Sequence, residues 1–350
     1  MVSKKTTKAL ITGGIGFIGS HLAETLLGLG KFVTVIDNLS TGRYENIKQL
    51  VDHQRFRFVI DTITNETVMD RLISECDVIY HLAAAVGVEL IVKDPVYVIE
   101  TNILGTHSVL KIANRYRKKI VMTSTSEIYG KNLNIPFSEE DDRLLGPTSK
   151  PRWSYSTSKA VDEILGLAYH KQTNLPVIIC RLFNTIGPRQ TGQYGMVVPR
   201  FIQQALLGQP LTVYGDGKQT RCFCDVQDVV RALIQISECQ EGIGRIFNIG
   251  SDHELTILEL AQKIIFLRDK YIRGKRISLK KKPLEVPSKM EDRIRLISFE
   301  EAYSSEFEDM QRRVPNISKI KKTIGWEPQI SLEKSLKNIL TFQNSQGFIR

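Results

Sequence analysis

The sequence has no apolar run long enough to cross a membrane, and it has few cysteines. A membrane-spanning helix needs about 20 consecutive apolar residues, and no segment of the 350-residue chain provides them. The N-terminus also lacks the charged and then apolar plan of a signal peptide, so we expect a cytoplasmic protein without a membrane partner. Five cysteines, an odd number, fit reduced buried thiols better than a disulfide framework.

The sequence lacks the residue patterns that metal binding and nucleic-acid binding require. Cys222 and Cys224 alternate in one short stretch, but no second pair or histidine cluster completes a zinc site, so we expect no metal. The formal net charge is +10, and much of the excess lies in RDKYIRGKRISLKKK at 268–282. No nucleic-acid module accompanies this segment, so we interpret it as solvated surface and expect no nucleic-acid partner.

The segment KALITGGIGFIGSHL places four glycines between an apolar strand and a helical pattern. They fit the dinucleotide fingerprint as Gly14-x-Gly16-x-x-Gly19, or in a wider spacing that starts at Gly13. Glycine lets a ligand approach the backbone closely, and a helix N-terminus attracts phosphate. A second strand, FVTVID, ends in Asp37, where an acid grips a ribose 2′-hydroxyl and repels a 2′-phosphate. The pattern predicts a Rossmann unit that binds NAD rather than NADP.

Strand-like apolar runs alternate with helical patterns through the first half of the chain. Predicted strands lie at 32–37, 55–61, 77–84, 118–126 and 175–184, and predicted helices at 65–74, 97–115, 154–172 and 225–237. Alternating βαβ units predict an α/β fold, a Rossmann-type doubly wound parallel sheet with a smaller mixed α/β substrate-binding domain. We expect the NAD-binding domain to span 1–184 and about 221–250, and the substrate-binding domain to span about 185–220 and 251–350.

Tyr155 and Lys159 stand four residues apart in RWSYSTSKA, on one face of a predicted helix. A free tyrosine has a pKa near 10, too high for a useful base. The lysine ammonium and a positive nicotinamide ring would both stabilise the phenolate and lower that pKa. Thr125 and Ser126, at the end of the strand before this helix, could hydrogen-bond a substrate hydroxyl. We therefore predict Tyr155 as the catalytic base.

These motifs together resemble the extended short-chain dehydrogenases/reductases, the NAD-dependent epimerase/dehydratase family that acts on nucleotide sugars. The resemblance covers nearly the whole length and rests on TGGIGFIG, DNLSTG, HLAA, TNILGT, YSTSK, RLFNTIGPRQ, YGDGKQTRCF and IGWEP. It implies NAD as the cofactor and a UDP-sugar as the substrate. It also implies a homodimer in which the helices near 97–115 and 154–172 pair.

The resemblance implies roles for individual residues. By it, Asp37 and Asn38 bind the adenosine ribose, Asp61 and Thr62 lie near the adenine, and Asn102 supports the cofactor wall. The whole cofactor-binding set is Gly13, Gly16, Phe17, Ile18, Gly19, Asp37, Asn38, Asp61, Thr62, Ala83, Asn102 and Lys159. The catalytic set is Thr125, Ser126, Glu127, Tyr155, Lys159 and Arg313, and the substrate-binding set is Asn184, Arg221 and Arg313.

The family member is indicated by the triplet Thr125-Ser126-Glu127. A 4,6-dehydratase of this family usually has Thr-Asp-Glu there, and the missing aspartate counts against dehydration. The glutamate, the stretch GPTSKPRWSYSTSK and Arg313 in DMQRRVPNISK instead resemble UDP-glucuronate decarboxylases. Oxidation at C4 of a uronic acid creates a β-keto acid, which loses carbon dioxide readily. Glu127 and Arg313 would then handle the carboxylate or the protonation that follows.

Two alternatives stay open. In a 4-epimerase acting on a UDP-hexose or UDP-uronate, Glu127 would only cap a turn and Arg313 would bind phosphate. The stretch AAVGVELIVKDP departs from typical decarboxylases, and the resemblance places it near C5 and C6 of the sugar, so an N-acetylated uronate is an alternative substrate. A non-catalytic NAD-binding protein is disfavoured because Tyr155 and Lys159 are both present.

The basic segment 268–282 resembles an insertion into the substrate domain.

Overall fold

The computed structural model describes residues 6–192, 196–279, 289–298, 301 and 310–348. The strands are β1 (Lys8–Thr12), β2 (Phe32–Asp37), β3 (Phe56–Ile60), β4 (Val78–His81), β5 (Lys119–Thr125), β6 (Val177–Leu182), β7 (Thr185–Ile186), β8 (Leu211–Tyr214), β9 (Thr220–Cys222), β10 (Cys224–Asp225), β11 (Arg245–Ile249), β12 (Glu254–Thr256) and β13 (Ile294–Ile297). The helices are α1 (Phe17–Gly28), α2 (Glu66–Glu75), α3 (Val88–Lys93), α4 (Pro95–Arg115), α5 (Ser154–Thr173), α6 (Val197–Leu207), α7 (Val226–Glu238), α8 (Ile257–Leu279), α9 (Ser318–Ile324) and α10 (Leu332–Gln343).

Seven parallel strands form the central sheet, in the order β11-β6-β5-β4-β1-β2-β3. The strands next to β1 on its two sides are β2 and β4, so the strand order reverses at β1. Strands of such a sheet are covered on both faces and therefore carry continuous apolar runs, as in β1 and β6. The predicted doubly wound Rossmann-type sheet is confirmed.

Helices cover both faces of this sheet with separate apolar cores. Leu22 and Leu26 of α1 pack with Val229 and Leu233 of α7 in the core on one face. On the other face, the buried residues come from α2, α4 and the strands themselves, among them Met69. All four helices predicted from the sequence are present, and their predicted ends lie within two residues of the observed ones.

A third apolar core lies outside the sheet, among α6, α8, α10 and β8. Phe201, Leu260, Ile264 and Leu336 are buried in it. Two short sheets accompany this core, the parallel pair β8–β13 and the antiparallel pair β9–β12. This is the smaller mixed α/β part of the fold, while the domain boundaries near 184, 221 and 250 stay a prediction.

The basic segment 268–282 is partly at odds with the interpretation as solvated surface. Arg268 is buried, its Nε donates to the carbonyl of Ala205 at 3.0 Å, and it pairs with Asp269. This arginine therefore packs α8 against α6, and residues from 280 to 282 lie outside the described residues. Over the described part of the chain, no helix has the length and apolar character needed to span a membrane. The same part holds no cluster of side chains suited to a metal ion.

Candidate active site

In the glycine-rich turn between β1 and α1, the backbone lies very close to other backbone segments, both within the turn and after β4. Gly13 has φ of +68°, and a Cβ there would lie 2.9 Å from the Ala83 nitrogen, which follows β4. A Cβ on Gly19 would lie 2.2 Å from the Gly13 oxygen. Gly16 begins α1 without a side-chain cap, and no acid lies in the first helical turn. The N–H groups of this helix start are therefore available to an anion.

The end of β2 presents an acid to the same cavity. Asp37 is buried, and its carboxylate accepts hydrogen bonds from the Ile15 and Leu39 nitrogens at 3.0 and 2.9 Å. Burial raises the pKa of Asp37, whereas these backbone N–H groups lower it. The neighbouring Asp61 carboxylate accepts from the Asn65 amide at 3.0 Å, which fixes it at the end of β3.

A cavity of about 620 Å³ lies over the carboxyl ends of these strands. It is lined by ten of the residues predicted to bind the cofactor, namely Gly13, Gly16, Phe17, Ile18, Gly19, Asp37, Asn38, Asp61, Thr62 and Ala83. Asn102 is not among its lining residues. The Asn102 side chain is buried and exchanges two hydrogen bonds with the backbone of Ala85, at 2.8 and 3.2 Å. Asn102 therefore supports the wall of the cavity without lining it.

An adjoining cavity of about 390 Å³ holds the predicted catalytic and substrate residues. Its lining includes Thr125, Ser126, Glu127, Tyr155, Lys159, Asn184, Arg221 and Arg313. The two cavities share Phe17, Ile18 and Thr123 among other lining residues, so they are continuous. A ligand that fills both would extend from the glycine turn to Tyr155.

Tyr155 lies near the start of α5 and packs against Ala85, Ile91 and Val98. Burial raises the pKa of Tyr155, the Glu127 carboxylate raises it further, and a hydrogen bond with Thr125 lowers it. Lys159 is already engaged, because its Nζ donates to Asp162 Oδ2 at 2.8 Å. Burial and the carboxylates outweigh the lowering by Thr125 and Arg152, so the chain's own side chains leave the pKa of Tyr155 raised instead of lowered.

Glu127 lies between two arginines just after β5. Its carboxylate is 2.7 Å from Arg152 Nη1 and 2.9 Å from Arg313 Nη2. Burial alone would raise the pKa of Glu127, but Arg152 and then Arg313 outweigh it and lower this pKa to about 2. Arg313 also donates to Ser126 Oγ at 3.3 Å. Glu127 is therefore an ionised member of a buried cluster, and its side chain does more than cap a turn.

Arg313 reaches this cluster from a distant part of the sequence. The backbone around it is held by Phe137, whose nitrogen donates to the Val314 oxygen at 2.8 Å and whose oxygen accepts from the Asn316 nitrogen at 2.8 Å. Asn184 and Arg221 face the same cavity from the other side. The Asn184 amide donates to the Cys222 oxygen at 2.8 Å, so it also fixes the end of β9.

The charge of this cavity is unbalanced toward positive. Five basic side chains line it, Arg152, Lys159, Arg200, Arg221 and Arg313, and Glu127 is the one acid among its described lining residues. The charge of Lys159 is neutralised by Asp162, which does not line the cavity. A lining with several basic side chains suits an anionic ligand with more than one charged group.

Sequence reasoning gave no role to Arg152, Arg200 or Asp162. Arg152 stands three residues before Tyr155 in the stretch PRWSY, and that spacing was the available signal. Arg200 lies over the Tyr214 ring, 3.9 Å from its centre, and belongs to α6 of the third core. Its approach to the cavity depends on how the two parts of the fold pack, which no local pattern reveals.

The residues present fit NAD. The close-packed glycine turn, the uncapped start of α1 and the acid at the end of β2 are the groups that a dinucleotide's diphosphate and ribose require. Lys159 lines the continuation of the cavity, where the nicotinamide end would lie.

The chain is similar to known proteins over nearly its whole length. The GDP-mannose 4,6 dehydratase family model matches residues 10–339. A curated relative, the UDP-N-acetyl-alpha-D-glucosaminuronate decarboxylase of Bacillus cytotoxicus, is 42% identical over 95% of this chain and 96% of its own. UDP-glucuronic acid decarboxylase 1 of Arabidopsis thaliana is 36% identical over 98% of this chain and 71% of its own.

A solved structure extends the comparison to three dimensions. The UDP-glucuronic acid 4-epimerase of Bacillus cereus, in complex with UDP-glucuronic acid and NAD, is 30% identical and has a TM-score of 0.81. The alignment covers 97% of this chain and 99% of that one. Fold, cofactor site and sequence thus agree with the resemblance noted from the motifs. The chain belongs to the family described by the GDP-mannose 4,6 dehydratase model, within the NAD-dependent extended short-chain dehydrogenases/reductases.

Proposed function

We propose that this chain is an NAD-dependent decarboxylase of a UDP-linked uronic acid, UDP-glucuronate or its N-acetylated amino-sugar analogue, that gives a UDP-xylose-type product. The observation that carries the proposal is the buried cluster of Glu127, Arg152 and Arg313 beside Tyr155. Two arginines and one glutamate meet at the cavity beside Tyr155, and the planar fork of an arginine suits a carboxylate. Ser126 stands where a dehydratase would place its acid, so elimination of a hydroxyl has no donor at that position.

The relatives support the same activity. Both curated relatives described above are decarboxylases of UDP-linked uronic acids. The one named for the N-acetylated acid is 42% identical, against 36% for the one named for glucuronic acid. This difference favours the N-acetylated acid as the first substrate to test.

The first chemical step belongs to Tyr155. Its phenolate takes the proton of the C4 hydroxyl, while Thr125, hydrogen-bonded to it, holds its orientation. When bound, NAD⁺ accepts the hydride of C4 and later returns it, so the cofactor is not consumed. Its positive ring would supply the lowering of the tyrosine pKa that the side chains do not. Tyr155 then carries a proton that it can donate to the C4 oxygen.

The second step breaks the bond between C5 and C6. Its electron pair moves into an enolate between C5 and the C4 oxygen, carbon dioxide leaves, and Tyr155 stabilises the enolate oxygen by hydrogen bonding. Arg313 and Arg152 orient the carboxylate. Because that carboxylate loses its charge as carbon dioxide forms, a tight cationic clamp would oppose the reaction. Glu127 pairs with both arginines and so limits this stabilisation of the ground state. C5 then takes a proton from solvent, and Tyr155 returns its proton to the C4 oxygen as C4 regains its hydride.

A 4-epimerase is the second candidate, supported by the solved relative from Bacillus cereus. It shares the first step, but the keto-sugar must rotate and accept hydride on its other face. One assay separates the two activities. The protein is incubated with UDP-glucuronate, its N-acetylated analogue, UDP-glucose and UDP-N-acetylglucosamine, and products are followed by mass spectrometry and proton NMR.

The proposal expects one of the two acids to lose the mass of carbon dioxide with no net consumption of NAD. Retained mass with inverted C4 in every accepted substrate would refute it in favour of the epimerase. The matched control is Tyr155→Phe, which should strongly lower either activity while the protein still binds NAD.

We further propose a cytoplasmic homodimer. All five cysteines are free thiols, and four of them are buried. Large apolar side chains stand exposed along α4 and α5, with Leu104 at 55% and Ile164 at 61% of full exposure. Exposed apolar surface on two adjacent helices is what a paired-helix dimer would cover.

A further inference from the structure

Lys159 has a buried acidic partner one turn along α5. Its Nζ donates to Asp162 Oδ2 at 2.8 Å, and both side chains are at most 3% exposed. Tyr155, Lys159 and Asp162 are spaced by four and three residues, so they share one face of the helix. Lys159 lines the cavity beside Tyr155, but Asp162 does not. Asp162 can therefore affect the reacting atoms in two ways only. It can position Lys159, or it can act at a distance through its own negative charge.

The surroundings leave Asp162 as the counter-ion of Lys159. His81, on β4, hydrogen-bonds Thr106 of α4 at 3.1 Å and Thr12 at 2.8 Å. Burial, and then the charge of Lys159, lower the pKa of His81 to about 3, so this ring is neutral. Glu163 turns away, because both of its carboxylate oxygens accept from Arg181 at 2.9 and 2.8 Å.

The charges that face Tyr155 come from three directions. Glu127 lies before α5 on the β5 side and Arg152 in the turn that leads into α5, while Lys159 and Asp162 lie on α5 itself. Glu127 and Asp162 raise the pKa of Tyr155, and Arg152 lowers it. A buried ammonium without a partner would be costly, and a lysine side chain has many conformations to lose. An acid in this place both lowers that cost and fixes the ammonium.

We propose that Asp162 is a positioning residue of the active site, whose carboxylate holds the Lys159 ammonium at the cofactor cavity and sets the proton affinity of Tyr155. The proposal rests on the tyrosine-initiated chemistry proposed above. It also makes a claim about cofactor binding that is independent of the substrate.

The test uses Asp162→Asn and Asp162→Ser, which remove the charge, and Glu163→Gln as the matched control. The control disturbs an adjacent buried ion pair on the same helix that points away from the cavity. For each protein, three quantities are measured: NAD affinity by calorimetry, the pH dependence of kcat/KM with the accepted UDP-sugar, and the thermal midpoint.

Loss of the Asp162 charge should move the acid limb of the pH profile downward by about one pH unit, since a negative charge about 10 Å along the helix from Tyr155 is removed. NAD affinity should fall about fivefold, because an untethered Lys159 must be ordered on binding. Glu163→Gln should lower the thermal midpoint but leave the acid limb and NAD affinity in place.

An acid limb that stays in place in both Asp162 variants would overturn the proposal. Failure of both to fold, when Glu163→Gln folds, would assign Asp162 a folding role instead and would also overturn it. If the parent protein turns over no UDP-sugar, the proposed function fails, but the NAD affinities still decide whether Asp162 tethers Lys159.

Discussion

Replacing Glu127 by glutamine would test the arginine cluster directly. The substitution keeps the shape of the side chain and removes the charge that lies between Arg152 and Arg313. Both arginines would then stay buried with like charges close together. We expect a destabilised protein in which carbon dioxide loss is impaired more than the initial oxidation at C4.

The magnitude follows from the pKa of Glu127, which is lowered from 4.5 to about 2. Because one pKa unit corresponds to about 1.4 kcal/mol, the ionised carboxylate stabilises the fold by about 3 kcal/mol. A depressed pKa means that this stability is present above the unfolded pKa near 4.5 and is lost as the pH falls toward 2. For a chain of 350 residues, the loss corresponds to a thermal midpoint roughly 4 °C lower at pH 7.

The change in thermal midpoint is measured by calorimetric melting at pH 7 of three proteins, the parent, Glu127→Gln and Glu254→Gln. Glu254 pairs with Arg312, the residue beside Arg313, but in a more exposed position, so its loss should change the midpoint by about 1 °C or less. Between pH 5 and 3 the gap between parent and Glu127→Gln should narrow in part, because the unfolded chain takes up a proton near pH 4.5 while the folded protein keeps Glu127 ionised down to about pH 2. Equal midpoints for the parent and Glu127→Gln at pH 7 would show that the cluster does not hold an ionised glutamate. A gap that persists unchanged at pH 3 would refute the assigned pKa.

Three further outcomes are expected. Tyr155→Phe should lower turnover by about 10²- to 10⁴-fold with little change in NAD or UDP-sugar affinity, measured by steady-state kinetics and calorimetry. Near-normal turnover would show that another group acts as the base. Asp37→Ser should narrow the preference for NAD over NADP, measured as a ratio of dissociation constants, and an unchanged ratio would contradict the role of this acid. Leu104→Glu combined with Ile164→Glu should convert a dimer to a monomer by light scattering, whereas a parent that is already monomeric would refute the proposed dimer.

The fold could be predicted from the sequence because its signals are local. The glycine turn, the acid at the end of the second strand and the alternation of apolar runs each lie within a short window. Helix α5 begins at Ser154 and ends at Thr173, against a predicted span of 154–172. The final strand of the sheet, Arg245–Ile249, was not predicted as a separate element, since its short run RIFNI carries little pattern of its own.

The site could be predicted only in part, because some of its contacts are long-range. The sequence motifs identify Tyr155, Lys159 and Glu127 as site residues. They do not show which side chain each of them contacts in the folded protein. Arg313 reaches Glu127 across 186 positions of sequence, and the family resemblance gave each of them a role but did not predict their contact. Asp162 stands three residues from Lys159, yet a lysine and an aspartate at that spacing usually form a surface pair. Only burial in the folded protein makes this pair consequential.

The two ion pairs around Tyr155 have opposite consequences for the reaction. The Lys159–Asp162 pair is compensated and leaves little net charge, so it suits a site that must position a neutral ribose. The Glu127 cluster brings two arginines to the cavity beside one glutamate, so it suits a site that must receive a carboxylate. A 4-epimerase acting on a neutral sugar would gain nothing from a second buried arginine and would bear its desolvation cost. The distribution of charge along one cavity therefore favours a uronic acid over a neutral hexose as the substrate.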